Sequence, residues 1–268
     1  MINDGKSDRL QEEMILESLG ESLFAANLVF HRALNSTNIL AKELALKGAP
    51  EGTVVLTEEQ SAGRGRMDRR WLSPGYMNLL FSILLRPPLP VDQVFVLTMI
   101  LALASVDGVR EISSIEPMIK WPNDLYVGQR KLGGILTEFN VQGRDVEYVI
   151  LGLGLNVNWN PGDQEGFPYP ATSILAESGI RTPRNGLLVV ILRSLERYYE
   201  NVLTGKIEDL YQRWNELSLI MGKEVEIETD KEKITGQAVQ IDRKGALVII
   251  DSHGREQKIL SGDVSVKL

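Results

Sequence analysis

Residues 133 to 157 constrain the fold more than any other stretch of the chain. They hold two apolar, β-rich runs, "GGILTEF" (133–139) and "VEYVILGLGLNV" (146–157), joined by a turn at "QGRD". Two such runs across a short turn containing Gly predict an antiparallel hairpin. "TVVLT" (53–57), "NLLFSILL" (78–85) and "PMIKW" (117–121) read as further strands. "NSTNILAKELALKG" reads as a helix that starts near Asn35 or Ser36 and ends before Gly48. Apolar side chains recur at helical spacing over 186–203 (Leu187, Leu188, Ile191, Leu195, Tyr198, Val202) and 206–217 (Ile207, Leu210, Tyr211, Trp214, Leu217). Hairpins mixed with helices predict an α+β fold with a mixed sheet, not a regular βαβ array.

After Gly222 the pattern changes to short alternating strands with turns at Lys244-Gly245 and His253-Gly254. This places a boundary near residue 220, with a small β-barrel over 221–268 and the main domain over 29–220. Residues 1–28 read as a short helical segment, with a helix at 8–19. That segment is acidic and lacks a basic-flanked apolar core, so it does not read as a signal peptide. The most apolar run, Val94 to Ala104, is shorter than the about 20 residues a bilayer span needs. It reads as a buried helix, with Asp92 as its capping candidate.

The charge balance is 29 − 36 = −7, which argues against a surface built wholly to grip nucleic acid. The chain has no cysteine. That excludes disulfides, thiolate metal sites and a cysteine nucleophile, and is compatible with a reducing cytoplasm. Against this acidic background, "EEQSAGRGRMDRRW" (58–71) gathers Arg64, Arg66, Arg69 and Arg70 around Gly63 and Gly65. Glycine lets a ligand approach the backbone, and arginine presents a planar fork of donors to phosphate or carboxylate. The residues alone admit both an anion site and a solvated basic loop. Trp71 suits either a lid over a planar ring or the core.

"KWPNDLYVGQRKLGGILTE" (120–138) is the second element. Pro122 holds Trp121 extended, and Asn123 and Asp124 suit a tight turn, so Lys120 ends a strand with Asp124 nearby. Lys131 precedes Gly133 and Gly134, where missing side chains let a ligand lie against a strand. An ordinary strand–turn–strand fits as well. In "GLGLNVN" (152–158), Gly152 and Gly154 imply that something packs closely on one face, and Asn156 and Asn158 share a side. The hydroxyls of "NSTN" (35–38) suit a helix cap or a small polar ligand. No "GxxxxGK[ST]" or "GxGxxG" phosphate loop occurs.

Together and in this order, "EEQSAGRGR…RRW", "KWPNDLY…RKLGGILTE" and "GLGLNVN", with "NSTN" ahead of them, closely resemble biotin protein ligases, the biotin–[acetyl-CoA-carboxylase] ligases. The resemblance covers roughly residues 30 to 268. It implies a catalytic domain like that of class II aminoacyl-tRNA synthetases, plus a C-terminal SH3-like barrel. It also implies ATP-dependent biotinylation of one lysine on a biotin carboxyl carrier domain of a biotin-dependent carboxylase, through biotinyl-5′-AMP, with Mg2+ as the metal. Ser36, Thr37, Asn38 and Gln60 match contacts to biotin's ring and its surroundings, and Gly133, Gly134 and Leu136 match a wall of the biotin slot. Gly63, Arg64, Gly65 and Arg66 match the motif at the biotinyl-phosphate link, and Lys131 the lysine beside it. Lys120 matches a lysine that stabilises the α-phosphate. Arg69, Trp71, Asn123 and Asn156 complete the ATP set. Asp124 would assist the metal or the incoming amine. Arg64, Arg66, Lys120, Asp124 and Lys131 are thereby the expected catalytic residues.

No membrane or nucleic-acid partner is expected, since the roughly 30 residues ahead of "NSTN" are few and not basic, and the resemblance admits either a monomer or a homodimer. A ligase that also represses transcription would need an N-terminal helix-turn-helix domain of some 60 residues. One departure stands out: Asp68 occupies the place of a third glycine in the arginine loop, where it would stiffen the loop or pair with Arg69. His31 and His253 lie outside every motif.

Overall fold

The computed structural model describes residues 8–143, 145–161, 170–229 and 232–266. The expected hairpin forms the centre of a mixed sheet. β1 (Leu28–Leu34), β2 (Val54–Gln60), β3 (Leu79–Leu85), β4 (Met118–Lys120), β5 (Asp124–Val127), β6 (Arg130–Gln142) and β7 (Asp145–Leu155) lie in the order β1-β2-β3-β7-β6-β5-β4. β6 and β7 pair antiparallel from Gly133↔Leu155 to Gln142↔Asp145. The turn between them includes Arg144, which lies outside the described residues. β3 flanks β7 on the other side. Its seven residues are all buried, as a central strand covered on both faces requires.

β1 is absent from the sequence expectations. It is an edge strand whose middle, His31, Arg32 and Ala33, is exposed, so it lacks the apolar alternation that marks a half-buried strand. It pairs parallel with β2. The connection between them is α2 (Thr37–Leu46), the helix predicted from "NSTN".

The remaining helices are α1 (Glu12–Leu19), α3 (Phe95–Ile112), α4 (Ile174–Ser178), α5 (Arg184–Leu203) and α6 (Glu208–Glu216). α3 is apolar nearly all round and buried along most of its length, as a helix enclosed by other elements must be. With the 3-10 turn before it, Val91–Ile112 runs 22 residues, long and apolar enough to cross a bilayer, but 72% of its apolar window is buried inside the protein. Burial, rather than short length, is therefore what marks it as a core helix. Asp92 does not cap it: the helix starts at Phe95 with Val94 at the N-cap and no side-chain cap, and Asp92 instead pairs with Lys244 at 2.9 Å. α5 packs along α3, and a Cβ on Gly108 would come within 2.5 Å of Ile191 Cγ1.

β8 (Glu224–Glu228), β9 (Lys233–Ile241), β10 (Leu247–Ile250), β11 (Glu256–Ile259) and β12 (Asp263–Val266) form a separate antiparallel sheet in the order β11-β10-β9-β8-β12. It is anchored to the main sheet rather than tethered. Trp121 Nε1 donates to Gly245 O at 2.9 Å, and Tyr211 OH donates to Arg243 O at 2.8 Å. Gly245 has φ 83° and lies so close to Phe95 that a Cβ would fall 2.1 Å from Cγ. Only glycine meets both demands.

The N-terminal segment is held by a buried charge cluster. Arg184, at the start of α5, is fully buried. Its Nη1 donates to Glu58 at 2.7 Å and its Nε to Asp8 at 3.1 Å. Asp8 also accepts from the Arg184 backbone N–H, and Glu58 from Leu10 N at 2.7 Å. Removing one partner of such a cluster leaves an uncompensated buried charge, costing about 3–5 kcal/mol. Arg184→Ala should lower the unfolding free energy by that amount, seen as a lower urea midpoint at unchanged m-value. A loss below about 1 kcal/mol would mean that the segment is not anchored here.

Candidate active site

One cavity of about 210 Å³ opens over the glycine-bearing face of the β6–β7 hairpin. Gly134 and Gly154 sit opposite each other in register, as do Leu136 and Gly152. A Cβ on Gly154 would fall 2.4 Å from Trp71 Cε2, and one on Gly152 would fall 1.9 Å from Asn38 Oδ1. The close packing expected at "GLGLNVN" is therefore real, and its occupants are Trp71 and Asn38. A Cβ on Gly134 would meet Asp124 Oδ1 at 3.1 Å and Trp71 Cζ3 at 3.3 Å. The indole rests on two glycines.

One end of the cavity is polar and uncharged. Ser36 stands at the N-cap of α2 without a side-chain cap bond. The first helical N–H, that of Thr37, donates to Gln60 Oε1 at 2.8 Å instead. Gln60 thus takes the capping task, and Ser36 and Thr37 both line the cavity, with the Thr37 hydroxyl 2.7 Å from the buried Ser82 Oγ. Asn38 Nδ2 donates to Glu138 at 2.9 Å and to Leu136 O at 3.3 Å.

The other end is cationic. Lys131 Nζ pairs with Asp124 Oδ1 at 2.7 Å and lies 5.8 Å from the Trp71 ring centre. Lys120 Nζ stands 5.1 Å from the Tyr126 ring. Burial lowers the Lys120 pKa from its ordinary value, with Asp124 opposing the shift and Lys131 adding to it. Burial also lowers Arg66, against the pull of Asp124 and Asp263. Arg66 donates to Asn123 Oδ1 at 3.2 Å and to Ser261 Oγ at 3.3 Å. These cations are partly desolvated, so an arriving anion meets stronger attraction than water would allow.

The arginine loop is a small hairpin. Arg64 bridges Arg70, Trp71 N donates to Gly63 O at 2.9 Å, and Arg69 N donates to Arg66 O at 3.1 Å. Its two tip residues, Met67 and Asp68, have φ of 53° and 56°. Left-handed backbone at both central positions is a type I′ turn, whose second place favours glycine. That is the physical sense of a glycine at position 68, and Asp is among the residues that tolerate the region best. Asp68 does not pair with Arg69. Arg69 forks onto Asp263 of β12, Nη1 to Oδ1 at 3.2 Å with a second, closer contact. That hydrogen bond holds Asp263 below the usual carboxylate range. Arg64 reaches the opposite way, to Glu138 at 3.0 Å.

Of the expected site residues, Ser36, Thr37, Asn38, Gln60, Arg64, Gly65, Arg66 and Arg69 line the cavity. So do Trp71, Lys120, Asn123, Asp124, Lys131, Gly134 and Leu136. Gly63, Gly133 and Asn156 lie off its wall. Gly63 is packed under the Trp71 carbonyl, and Gly133 faces the Gly154 carbonyl and Leu155. Asn156 is buried and donates to Thr172 O at 2.9 Å. Arg70, Tyr126, Gly152 and Gly154 also line the cavity, as do Gly262, Asp263 and Val264 of the C-terminal sheet. No pattern within "SGDV" pointed there, since only folding brings it to the arginine hairpin. His31 and His253 are exposed and away from it.

The Biotin/lipoate A/B protein ligase family matches residues 29–156, and the Biotin protein ligase C terminal domain matches residues 220–267. The chain is 35% identical over 265 residues to the bifunctional ligase/repressor BirA of Bacillus subtilis (strain 168), spanning 97% of this chain and 80% of that one. It is 30% identical over 274 residues to the biotin--[acetyl-CoA-carboxylase] ligase of Mycobacterium tuberculosis, spanning 96% and 97%. Among solved structures, the biotin protein ligase from Aquifex aeolicus in complex with biotin and ATP aligns with a TM-score of 0.74 at 28% identity, over 90% of this chain and 99% of that one. With relatives of this identity along nearly its whole length, the chain belongs to the biotin/lipoate A/B protein ligase family, in the branch that carries the biotin protein ligase C-terminal domain.

Proposed function

We propose that the chain activates biotin with ATP and transfers it to a lysine on a carrier domain of a biotin-dependent carboxylase. The observation that carries this reading is the division of one cavity into a neutral hydrogen-bonding end and a cationic end, 210 Å³ in all. The neutral end, Ser36, Thr37 and Gln60, suits a polar, uncharged ring. The cationic end, Arg66, Lys120 and Lys131, suits the point where two anions must meet. Two unit charges 4 Å apart repel by about 4 kcal/mol in a partly solvated site, and three cations offset that repulsion.

In the first step a carboxylate oxygen of biotin attacks the α-phosphorus of ATP. The P–O bond to pyrophosphate breaks and pyrophosphate leaves with the electron pair. Lys120 and Arg66 hold the charge that grows on the α-phosphate oxygens. Lys131, fixed by Asp124, orients the carboxylate. Trp71, flat on Gly134 and Gly154, offers a face to the nucleotide base. In the second step the acceptor amine attacks the acyl carbon, the C–O bond to AMP breaks, and the amine loses a proton. Asp124 is the only wall carboxylate besides Asp263 among the described residues, and it is the candidate to receive that proton.

No group of three metal-binding side chains exists among the described residues. A lone Asp124 fits Mg2+ that arrives with the nucleotide, held mostly by phosphates and water. The metal would neutralise phosphate charge. We propose no operator-binding role: the described segment ahead of β1 is spent on packing, with Ile15 and Leu19 of α1 buried. A gel shift with operator DNA at low salt should accordingly detect no specific complex. We assign the chain to the cytoplasm, a compartment compatible with the lack of cysteine.

Purified protein with biotin and Mg-ATP should exchange labelled pyrophosphate into ATP and then label a carrier domain. Exchange driven by lipoate instead would keep the chemistry and move the substrate. Exchange with neither would end the ligase reading. Lys131→Met and Lys120→Met should each slow exchange by about 100-fold or more, the usual cost of a charge-stabilising donor. Asp68→Gly should change the exchange rate by less than about fivefold, because αL backbone at an Asp costs only about 1 kcal/mol. A larger gain would show that the turn is strained.

A further inference from the structure

Ser82 sits in the middle of β3 between Phe81 and Ile83, with no exposed surface, in a strand otherwise built of Leu, Phe and Ile. A hydroxyl buried there needs a partner. Its Oγ lies 2.6 Å from Asn38 Oδ1 and 2.7 Å from Thr37 Oγ1. A serine hydroxyl carries one proton, so it donates to only one of them.

Asn38 decides which. Its amide nitrogen faces the Glu138 carboxylate and the Leu136 carbonyl. Both are acceptors, so the Nδ2 end is fixed there and Oδ1 must face Ser82. An amide oxygen cannot donate. Ser82 therefore gives its proton to Asn38, and the short contact with Thr37 is made only if Thr37 donates to Ser82. The reverse order would set Asn38 Oδ1 against a serine lone pair at 2.6 Å. Thr37 Oγ1 also lies 3.2 Å from Gln60 Oε1. With its proton committed to Ser82, it donates nothing to Gln60, whose oxygen is served by the Thr37 backbone N–H at 2.8 Å. Two acceptors, Thr37 Oγ1 and Gln60 Oε1, then stand 3.2 Å apart on the cavity wall.

We propose that Ser82 is a positioning residue that fixes the Thr37 hydroxyl as an acceptor, so that this end of the cavity selects a ligand ring bearing an N–H donor. The relay runs Thr37 to Ser82 to Asn38 to Glu138. It rests on the biotin reading, because a ureido ring supplies an N–H that can bridge the two oxygens and a dithiolane ring has none. A site built around acceptors rejects a ring that leaves them unpaired.

The test is calorimetric titration of wild-type protein, Ser82→Ala and Ser82→Thr with biotin and with biotin methylated at a ureido nitrogen, and with ATP as a control. In wild-type protein biotin should bind at least about 30-fold more tightly than the methylated analogue. In Ser82→Ala the Thr37 proton is released to turn toward Gln60. Biotin should weaken about tenfold or more, the ratio of biotin to analogue should shrink, and the ATP affinity should hold. Ser82→Thr keeps the hydroxyl and should restore the ratio. An equal loss for biotin and analogue in Ser82→Ala, with the ratio unchanged, would reduce Ser82 to a packing residue and overturn the proposal. Failure of wild-type protein to bind biotin at all would instead overturn the substrate reading and this proposal with it.

Discussion

The site depends on three missing side chains. Gly134, Gly152 and Gly154 leave bare backbone on one face of the central hairpin, and Trp71 and Asn38 occupy the space a Cβ would take, to within 1.9 Å at Gly152. Glycine weakens a strand by roughly 0.5–1 kcal/mol per residue. Here the loss is absorbed by a hairpin whose partner strand β3 is buried on both faces. The opposite face stays apolar, with Ile135, Leu153 and Leu155 in the main core. One strand pair therefore serves two purposes: odd positions build the core, and even positions make a floor. A register slip of one residue would exchange them and destroy both.

Charge on this floor is arranged in opposition. The chain is acidic, at −7 overall, yet Arg66, Lys120 and Lys131 converge on one cavity. Burial lowers the pKa values of Arg66 and Lys120. Asp124 and Asp263 oppose that shift from within the same wall. Neither acid cancels the cations, since three positive groups and the nearby Arg69 face two carboxylates. The surplus is positive charge that an anion entering the cavity would meet, as the proposed function requires.

Much of the fold was legible because its signals are local. The hairpin, β2, β3, α2, α5 and α6 follow from periodicity and turn residues near where they were expected. β1 was missed because an exposed edge strand does not alternate, and α4 because five residues carry no period. The floor of the site was legible as a glycine alternation, though not what lies on it. Its identity came from motif resemblance, because nothing in "GRGR" alone separates an anion site from a solvated loop. The Asp92 cap failed because the helix starts three residues later, and the acid is drawn to Lys244 of the C-terminal sheet. Asp263 was unreadable for a related reason. Its partner Arg69 is 194 residues away, and no window of sequence holds both.

That distant pair bears on how firmly the arginine hairpin is held. Arg69 and Asp263 are both about half exposed, at 55% and 46%, and such a bridge contributes about 0–1 kcal/mol. Arg66 to Ser261, also exposed, adds little more. Against these stands the left-handed backbone at Met67 and Asp68, which costs about 1–2 kcal/mol per residue for ordinary side chains and less for Asp. The tip strain is at least as large as what these exposed contacts return. The hairpin tip is therefore weakly held against the C-terminal sheet, while its base, at Gly63 and Trp71, is fixed by backbone hydrogen bonds and by packing on the floor. An anion between Arg66 and Lys120 would add Coulomb attraction in a partly desolvated site, about 4 kcal/mol for a pair at 4 Å. The same segment can thus be loosely held when free and firmly ordered once charge is bound. The C-terminal sheet is a third wall of the cavity as well as a separate fold.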